Sequence, residues 1–301
     1  MPGAEGAGCR VLVWRMRRAI VVAICALLLP CTIDAQAPLD KTARAWVDAT
    51  LKKLSIEQLA GQMVFASFNA TYLSTDSALP LLTSSDFEWG VQMRIAGATR
   101  FPRAMAFGAT GDPSLAYEAG KVVGAESRAL GVHVDFGPVA DLNNNPRNPV
   151  INTRSFGEDP GRAGAMVAGW VRGLQEGGVL ATLKHFPGHG DTETDSHLGL
   201  PTVSHPREQV EQVDLAPFRS GIDAGAAAVM VAHIELPSID ADKQPATFSA
   251  KVIGGLLRPH FDGLIVSDAM KMGAIVKMAT PGEAAVRAVK AGIDVILDSP
   301  D

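Results

Sequence analysis

Residues 173–185 read Gly-Leu-Gln-Glu-Gly-Gly-Val-Leu-Ala-Thr-Leu-Lys-His. The amphipathic stretch Arg162–Glu176 that leads into it predicts a helix. Gly177-Gly178 ends that helix, because glycine enters the backbone conformations of a helix terminus without steric cost. The apolar run Leu180–His185 then predicts a strand, and it closes on two polar residues, Lys184-His185. Helix, tight turn, apolar strand and polar strand end make up one unit of an alternating α/β architecture. Strands in such a fold are covered on both faces and so lack a polar face.

Outward from this segment the unit recurs. Strands are predicted at Met63–Phe68, Leu79–Ser85, Val132–Leu142, Ala227–Ile234, Leu264–Ser267 and Asp294–Leu297, making seven with Leu180–His185. Helices are predicted at Ala43–Leu59, with a capping box of Ser55 and Gln58 inside it, and at Ser114–Leu130, Glu208–Ala224, Ser249–His260 and Pro281–Ala291. Polar residues follow the ends of many different strands: Asp86, Asp141, Lys184-His185, His233 and Asp268. A (β/α)8 TIM-barrel-like fold brings all of those ends to one mouth, whereas an open doubly wound sheet gathers its site at a switch point. The α/β chain is therefore expected to be a barrel. It stops at Asp301, just after a strand, so the barrel is expected to be truncated at its C-terminal end.

Composition agrees with a packed domain: 47% of residues are hydrophobic and 20% charged, the balance of a globular chain. The net charge of −5 argues against nucleic acid or an anionic membrane as partner. Residues 1–35 carry the pattern of a cleavable secretory signal. Arg15, Arg17 and Arg18 precede the apolar run Ala19–Leu29, and small residues follow up to Ala35. The run is too short to span a bilayer as a helix. Cleavage is expected after Ala35, with export to the periplasm or the extracellular space; an N-terminal membrane anchor is the alternative. Cys9, Cys25 and Cys31 all lie in this segment, so the exported chain is expected to have no disulfide and no thiolate metal site.

Three stretches carry chemistry. The first is Lys184-His185-Phe186-Pro187-Gly188-His189-Gly190-Asp191-Thr192, followed by Asp195-Ser196-His197. In an extended segment residues i and i+2 share a face, which would set Asp195 beside His197. A carboxylate there fixes the imidazole tautomer and suits a group that gives and retakes a proton. Spacing alone leaves two other readings open: a metal site of His185, His189, Asp191 and His197, or a solvated loop. The second stretch is Leu264–Gly273. Asp268, at the end of its apolar strand, could be a nucleophile, a general base, a metal ligand or a helix cap. The third runs from Asp135 to Asp159, where Asn143, Asn144, Asn145, Arg147 and Asn148 could hydrogen-bond sugar hydroxyls and amides or simply brace a turn-rich loop.

Together these stretches resemble glycoside hydrolase family 3, in the β-N-acetylglucosaminidase branch. Lys-His-Phe-Pro-Gly-His-Gly-Asp-Thr at 184–192 and Asp-Ser-His at 195–197 match that branch at every position, and Arg154-Ser155-Phe156-Gly157 and Ser267-Asp268-Ala269-Met270 match as well. The resemblance implies that residues 36–301 form the catalytic barrel, incomplete at its C-terminus. By position, Asp268 matches the nucleophile and His197 the acid/base, with Asp195 as its partner. Lys184, His185, Arg154, Asp86 and Arg94 match sugar-binding positions. It implies no metal, no cofactor, and as partner an N-acetylglucosamine-containing oligosaccharide from cell wall (peptidoglycan) or chitin. A β-glucosidase or β-xylosidase of the same family, or a non-catalytic sugar-binding fragment, are the alternatives. One departure stands out: where the family often has two glycines after the Glu of its D-x-E-G-G element, this chain reads Asp86-Phe87-Glu88-Trp89-Gly90.

Overall fold

A computed structural model of the chain describes residues 39–65 and 82–298. The predicted signal segment lies outside the described residues, as do the outer parts of the first two predicted strands and the final three residues.

Helix α1 (Lys41–Leu51) is capped by Asp40, which accepts the Ala43 N–H, and α2 (Ile56–Gly61) starts at Ser55. The single helix expected over Ala43–Leu59 is thus two. The Ser55–Gln58 capping box forms, but as the start of a new helix, since a capping box satisfies N-terminal amides and cannot lie within a continuous helix. Then follow β1 (Val64–Phe65), β2 (Ser84–Ser85), α3 (Ala104–Thr110), α4 (Pro113–Ala129), β3 (Val134–Asp135), α5 (Pro160–Glu176) and β4 (Leu180–Phe186). After these come α6 (Ala216–Asp223), β5 (Ala228–Val231), α7 (Ala250–Val252), β6 (Leu264–Ala269), α8 (Gly273–Val276), α9 (Pro281–Ala291) and β7 (Val295–Leu297).

The third strand is shorter than Val132–Leu142. Pro138 has no N–H for a ladder, but the backbone stays against β4: the Gly137 and Pro138 carbonyls accept from the Thr182 and Lys184 amides. The helix expected over Glu208–Ala224 contains a π turn at Val210–Asp214. Pro217 cannot donate to the Val213 carbonyl, and its ring crowds it, so the chain widens before α6. The helix expected over Ser249–His260 likewise passes from α7 into a π turn at Ile253–Leu257, which contains Gly254 and Gly255, and then a 3-10 turn containing Pro259.

The seven strands are all parallel, in the order β1-β7-β6-β5-β4-β3-β2. The order is cyclic, with the first strand beside the last. A doubly wound sheet instead starts in its middle and winds both ways. Among the described residues the sheet is therefore a curled, open, (β/α)8-like barrel, with β1 and β2 as its two edges. Side chains alternate with period two. Ala181, Leu183, Val229, Val231 and Ile265 join the large core beneath the helices, with Trp170, Val167 and Phe218. Leu180, Met230, Val134 and Phe136 pack together on the other face, as do Ala228, Leu264, Val266 and Val295, in clusters that hold strand and strand-end residues but no helical ones, as barrel-interior layers do.

Candidate active site

The same alternation that places Leu180 in the barrel interior carries Thr182 and Lys184 up that face of β4. Along β6 it carries Leu264, Val266 and then Asp268. Lys184 and Asp268 thus reach the C-terminal mouth as the last members of interior rows. Lys184 is buried, and its ammonium lies 2.8 Å from Asp86 Oδ1 and 2.9 Å from Glu88 Oε1. Arg154 grips Glu88 with two nitrogens, Nε at 2.9 Å and Nη2 at 2.7 Å, the fork geometry that suits guanidinium to carboxylate. Arg94 Nη2 lies 3.1 Å from the other oxygen of Asp86. His185 Nδ1 lies 2.7 Å from Asp141 Oδ2, and its Nε2 lies 3.3 Å from Arg154 Nη2. Asp141 also accepts the His185 and His189 backbone amides. Two strand ends, those of β2 and β4, thus meet the loop after β3 and the turn of Arg154 in one network. The peptide bonds Gly137–Pro138, Lys184–His185 and Phe186–Pro187 within it are cis.

The electrostatics follow from burial opposed by pairing. Burial alone would raise Glu88, but Lys184 and Arg154 hold its carboxyl far below the ordinary value. Burial would lower Lys184, but Glu88 and Asp86 keep it fully charged. Asp268 is half-buried at the mouth; burial pushes it up, while His185, His233, the Ala269 amide and Lys184 more than offset this and keep it a carboxylate. An ionised carboxylate facing a cationic wall has the charge state a nucleophile needs. Asp268 is not a helix cap: the residue before α8 is Met272, and among the described residues Asp268 Oδ1 accepts the next amide, that of Ala269. His233 closes the far side, bonded to Thr247 and lying 3.1 Å from the Ala269 carbonyl.

The second constellation is the loop after β4. His197 Nδ1 lies 2.7 Å from Asp195 Oδ1, and the His197 amide donates to the same oxygen at 2.8 Å. The expected pair forms, but by another route: the amide bond makes this an Asx-turn, not the alternation of an extended strand. The loop tip sits on the chain just beyond Asp268. The Gly273 amide donates to the His197 carbonyl and the Ala274 amide to the Ser196 carbonyl, both at 3.2 Å, and Lys277 donates to the Leu198 carbonyl. The His197 ring itself is exposed and bonds to Asp195, not to the buried network. His189 links the two constellations: its amide donates to Asp141, and its ring lies between Thr192 Oγ1 at 2.7 Å and Ser196 Oγ at 3.0 Å. Burial lowers its pKa to about 4, so it is neutral near pH 7.

Lys184, His185, Arg154, Asp86 and Arg94 are thus brought into one network, with Asp268 beside it, while Asp195 and His197 ride on the adjoining loop. The metal alternative does not assemble. His185, His189, Asp191 and His197 each face a different partner, and among the described residues no three His, Cys, Asp or Glu side chains are placed to hold one metal ion. Glu88 and Asp141 received no role from sequence, although Glu88 joins the buried Lys184 to the part-buried Arg154. The signal for it was the Asp86-Phe87-Glu88 spacing, which puts two carboxylates on one side of an extended segment. Trp89 lies beside the network with Arg103 stacked over its ring at 4.4 Å. An apolar concavity of about 490 Å³ between α8 and α9, lined by Met270, Ile275, Val276 and Met278, holds none of the ionisable cluster.

A parallel barrel with a carboxylate–cation network at its strand ends and a His–Asp pair on the adjoining loop fits the barrel hydrolases as a class. The chain belongs to glycosyl hydrolase family 3: residues 50–301 match the family's N-terminal domain. Among curated relatives it is 40% identical over 240 residues to the β-hexosaminidase A of Pseudoalteromonas piscicida, covering 73% of this chain and 40% of that protein. It is 35% identical over 243 residues to the β-N-acetylglucosaminidase/β-glucosidase of Cellulomonas fimi, covering 77% and 43%. Among solved structures it matches a family 3 β-N-acetylglucosaminidase from Paenibacillus sp. str. FPU-7 with a TM-score of 0.71 and 50% identity, over 73% of this chain and 42% of that one. A β-glucoside phosphorylase matches with a TM-score of 0.82 and 28% identity, over 87% and 54%. The chain spans about two-fifths of the length of the first two curated relatives.

Proposed function

We propose that this chain carries the catalytic machinery of a retaining glycosidase that removes terminal β-linked N-acetylglucosamine. The observation that carries the reading is the docking of the Asp195–His197 loop, through Gly273 and Ala274, onto the segment just beyond Asp268. A proton donor and a nucleophile must flank one glycosidic bond, and this backbone contact between the two segments supports that pairing. Asp268 attacks the anomeric carbon as His197 protonates the departing oxygen, giving a covalent glycosyl-enzyme. His197, now neutral, takes a proton from water as it attacks, and the second displacement restores the original configuration. Asp195 orients the imidazole and stabilises its charged form. Lys184, Asp86, Arg154, His185 and Arg94 offer donors and acceptors for the sugar hydroxyls and the acetamido group. Export through the N-terminal segment would place the activity where cell-wall fragments and chitin oligosaccharides occur. The relatives named as β-hexosaminidases support the sugar, and the Cellulomonas relative's paired name keeps a β-glucoside as the second reading.

Asp268→Ala should abolish release of an aryl N-acetylglucosaminide; unchanged turnover would remove Asp268 from the mechanism. His197→Ala should lose roughly 10²–10⁴-fold, and less on substrates whose leaving group needs no proton. Parallel assays of aryl glucoside and aryl N-acetylglucosaminide decide between the two sugars.

A further inference from the structure

The loop that carries Asp195 and His197 leaves and rejoins the barrel at one place, and a histidine outside the site stands at that junction. On the departing limb Asp191 is anchored. Its neighbour Gly190 packs so closely on Leu142 that a Cβ would lie 1.5 Å from the Leu142 carbonyl oxygen, and Asn148 donates to the Gly190 carbonyl at 3.0 Å. Asp214, in the π turn before α6, fills the space beside Gly188, where a Cβ would meet it at 3.3 Å. His205, on the returning limb, reaches both carboxylates. Its Nε2 lies 2.6 Å from Asp191 Oδ2 and its Nδ1 2.7 Å from Asp214 Oδ2, and the ring is only 12% exposed. A carboxylate oxygen at each ring nitrogen matches an imidazolium donating from both. Burial opposes that charge, but Asp214 and Asp191 outweigh it and raise the His205 pKa.

The other anchors of the loop lie elsewhere. The returning limb pairs with the segment after β5, where the Val203 amide donates to the Glu235 carbonyl and the Glu235 amide to the Pro201 carbonyl. The tip rests on Gly273 and Ala274. The His205–Asp191 bond joins the two limbs at their base.

We propose that His205 is a positioning residue: clasped between Asp191 and Asp214, it closes the stem of the 192–204 loop and so holds the Asp195–His197 pair over the site. The proposal rests on the reading of His197 as proton donor, and its test separates the two. Amide hydrogen exchange across residues 192–199 reads the loop without reference to activity, and the dependence of kcat/KM on leaving group reads its catalytic consequence. In His205→Ala, exchange across 192–199 should accelerate about tenfold or more, while exchange in β4 to β6 stays unchanged. Activity should fall roughly 10–100-fold on substrates whose leaving group needs a proton and only a few-fold on an activated aryl glycoside. Asp191→Asn, at a one-third exposed position that should leave folding intact, should shift both readouts in the same direction. His205→Lys, which keeps a cation between the carboxylates, should restore part of both; His205→Leu should not.

Unchanged exchange in His205→Ala and Asp191→Asn would overturn the clasp, as would equal losses for both leaving-group types in a variant whose loop exchanges faster. If His197→Ala itself shows no leaving-group dependence, the proton-donor reading fails instead. Exchange alone then decides whether His205 holds the loop.

Discussion

Glu88 is the residue on which the buried network turns. Its side chain is 5% exposed and bonds to the buried Lys184 and the part-buried Arg154. Removing one partner of a buried ion pair leaves an uncompensated charge, at a cost of about 3–5 kcal/mol. Glu88→Ala should therefore destabilise the protein by about that amount, read from denaturant unfolding. Glu88→Gln keeps the shape but not the charge, so it should fold and yet lower kcat/KM by about tenfold or more as the two cations lose their orientation. A Gln variant with wild-type kcat/KM would mean that Glu88 does not set them. At this scale the sequence was legible where a residue ends a strand: Asp268 and Lys184-His185 stand out because an apolar run stops at them. For Glu88 it offered the Asp86-Phe87-Glu88 spacing and no more, because nothing local says which of two carboxylates, two positions apart, turns toward which cation. It was silent on His205 for a similar reason. A histidine after Ser204 gains meaning only when Asp191 and Asp214 are folded onto it.

Among the elements, α4 and α5 show how small residues set a distance. At Gly173 a Cβ would lie 2.0 Å from the Tyr117 carbonyl oxygen, and at Gly120 one would lie 2.6 Å from that of Trp170. The two helices approach backbone to backbone, and the obstacle in each case is main chain, which cannot rotate away. Gly173→Ala would favour the helix intrinsically, by up to about 1 kcal/mol, yet should destabilise the protein by about 1–3 kcal/mol or more, because the overpacking outweighs propensity. A higher Tm in that variant would show that the interface has slack. The helices themselves were legible from their apolar spacing and from Gly177-Gly178. Their interruptions were less so. Pro217 and the Gly254-Gly255 pair are visible in sequence, but whether a proline kinks, ends or widens a helix depends on what packs against it. Here both helices accommodate the breakers by π turns. The third strand was overestimated for a related reason: its apolar run continues to Leu142, but the regular strand ends at Asp135 and the chain past Pro138 meets β4 through an isolated bridge, Val139 to Lys184.

Over the whole molecule, the pH dependence of stability is set by buried groups that pull in opposite directions. His189 has a folded pKa of about 4, below the ~6.5 of an unfolded chain. Between those values the unfolded state binds more protons, so this group's contribution to stability rises with pH and is lost as pH falls toward 4. Asp135 behaves oppositely. It is fully buried on β3, where Oδ1 accepts the Phe87 amide and Oδ2 has no hydrogen-bond partner among the described residues. Burial pushes its carboxyl up to about 7, so the native state holds a proton that the unfolded chain releases near pH ~3.9. Stability through Asp135 therefore falls as pH rises across that window, which nearly coincides with the window of His189, and the two slopes largely cancel. Substitution separates them. Asp135→Asn keeps an acceptor for Phe87 but cannot ionise, so at pH 4 it should behave much like the protonated native side chain. At pH 8 it should be the more stable protein, by up to about 4 kcal/mol, since each pH unit between the unfolded and folded pKa contributes roughly 1.4 kcal/mol. Thermal unfolding of both proteins at the two pH values measures this as a Tm difference that opens with pH. A difference of the same size at pH 4 and pH 8 would show that Asp135 does not titrate in this range, and that the acid limb of the profile belongs to His189 and the paired carboxylates alone.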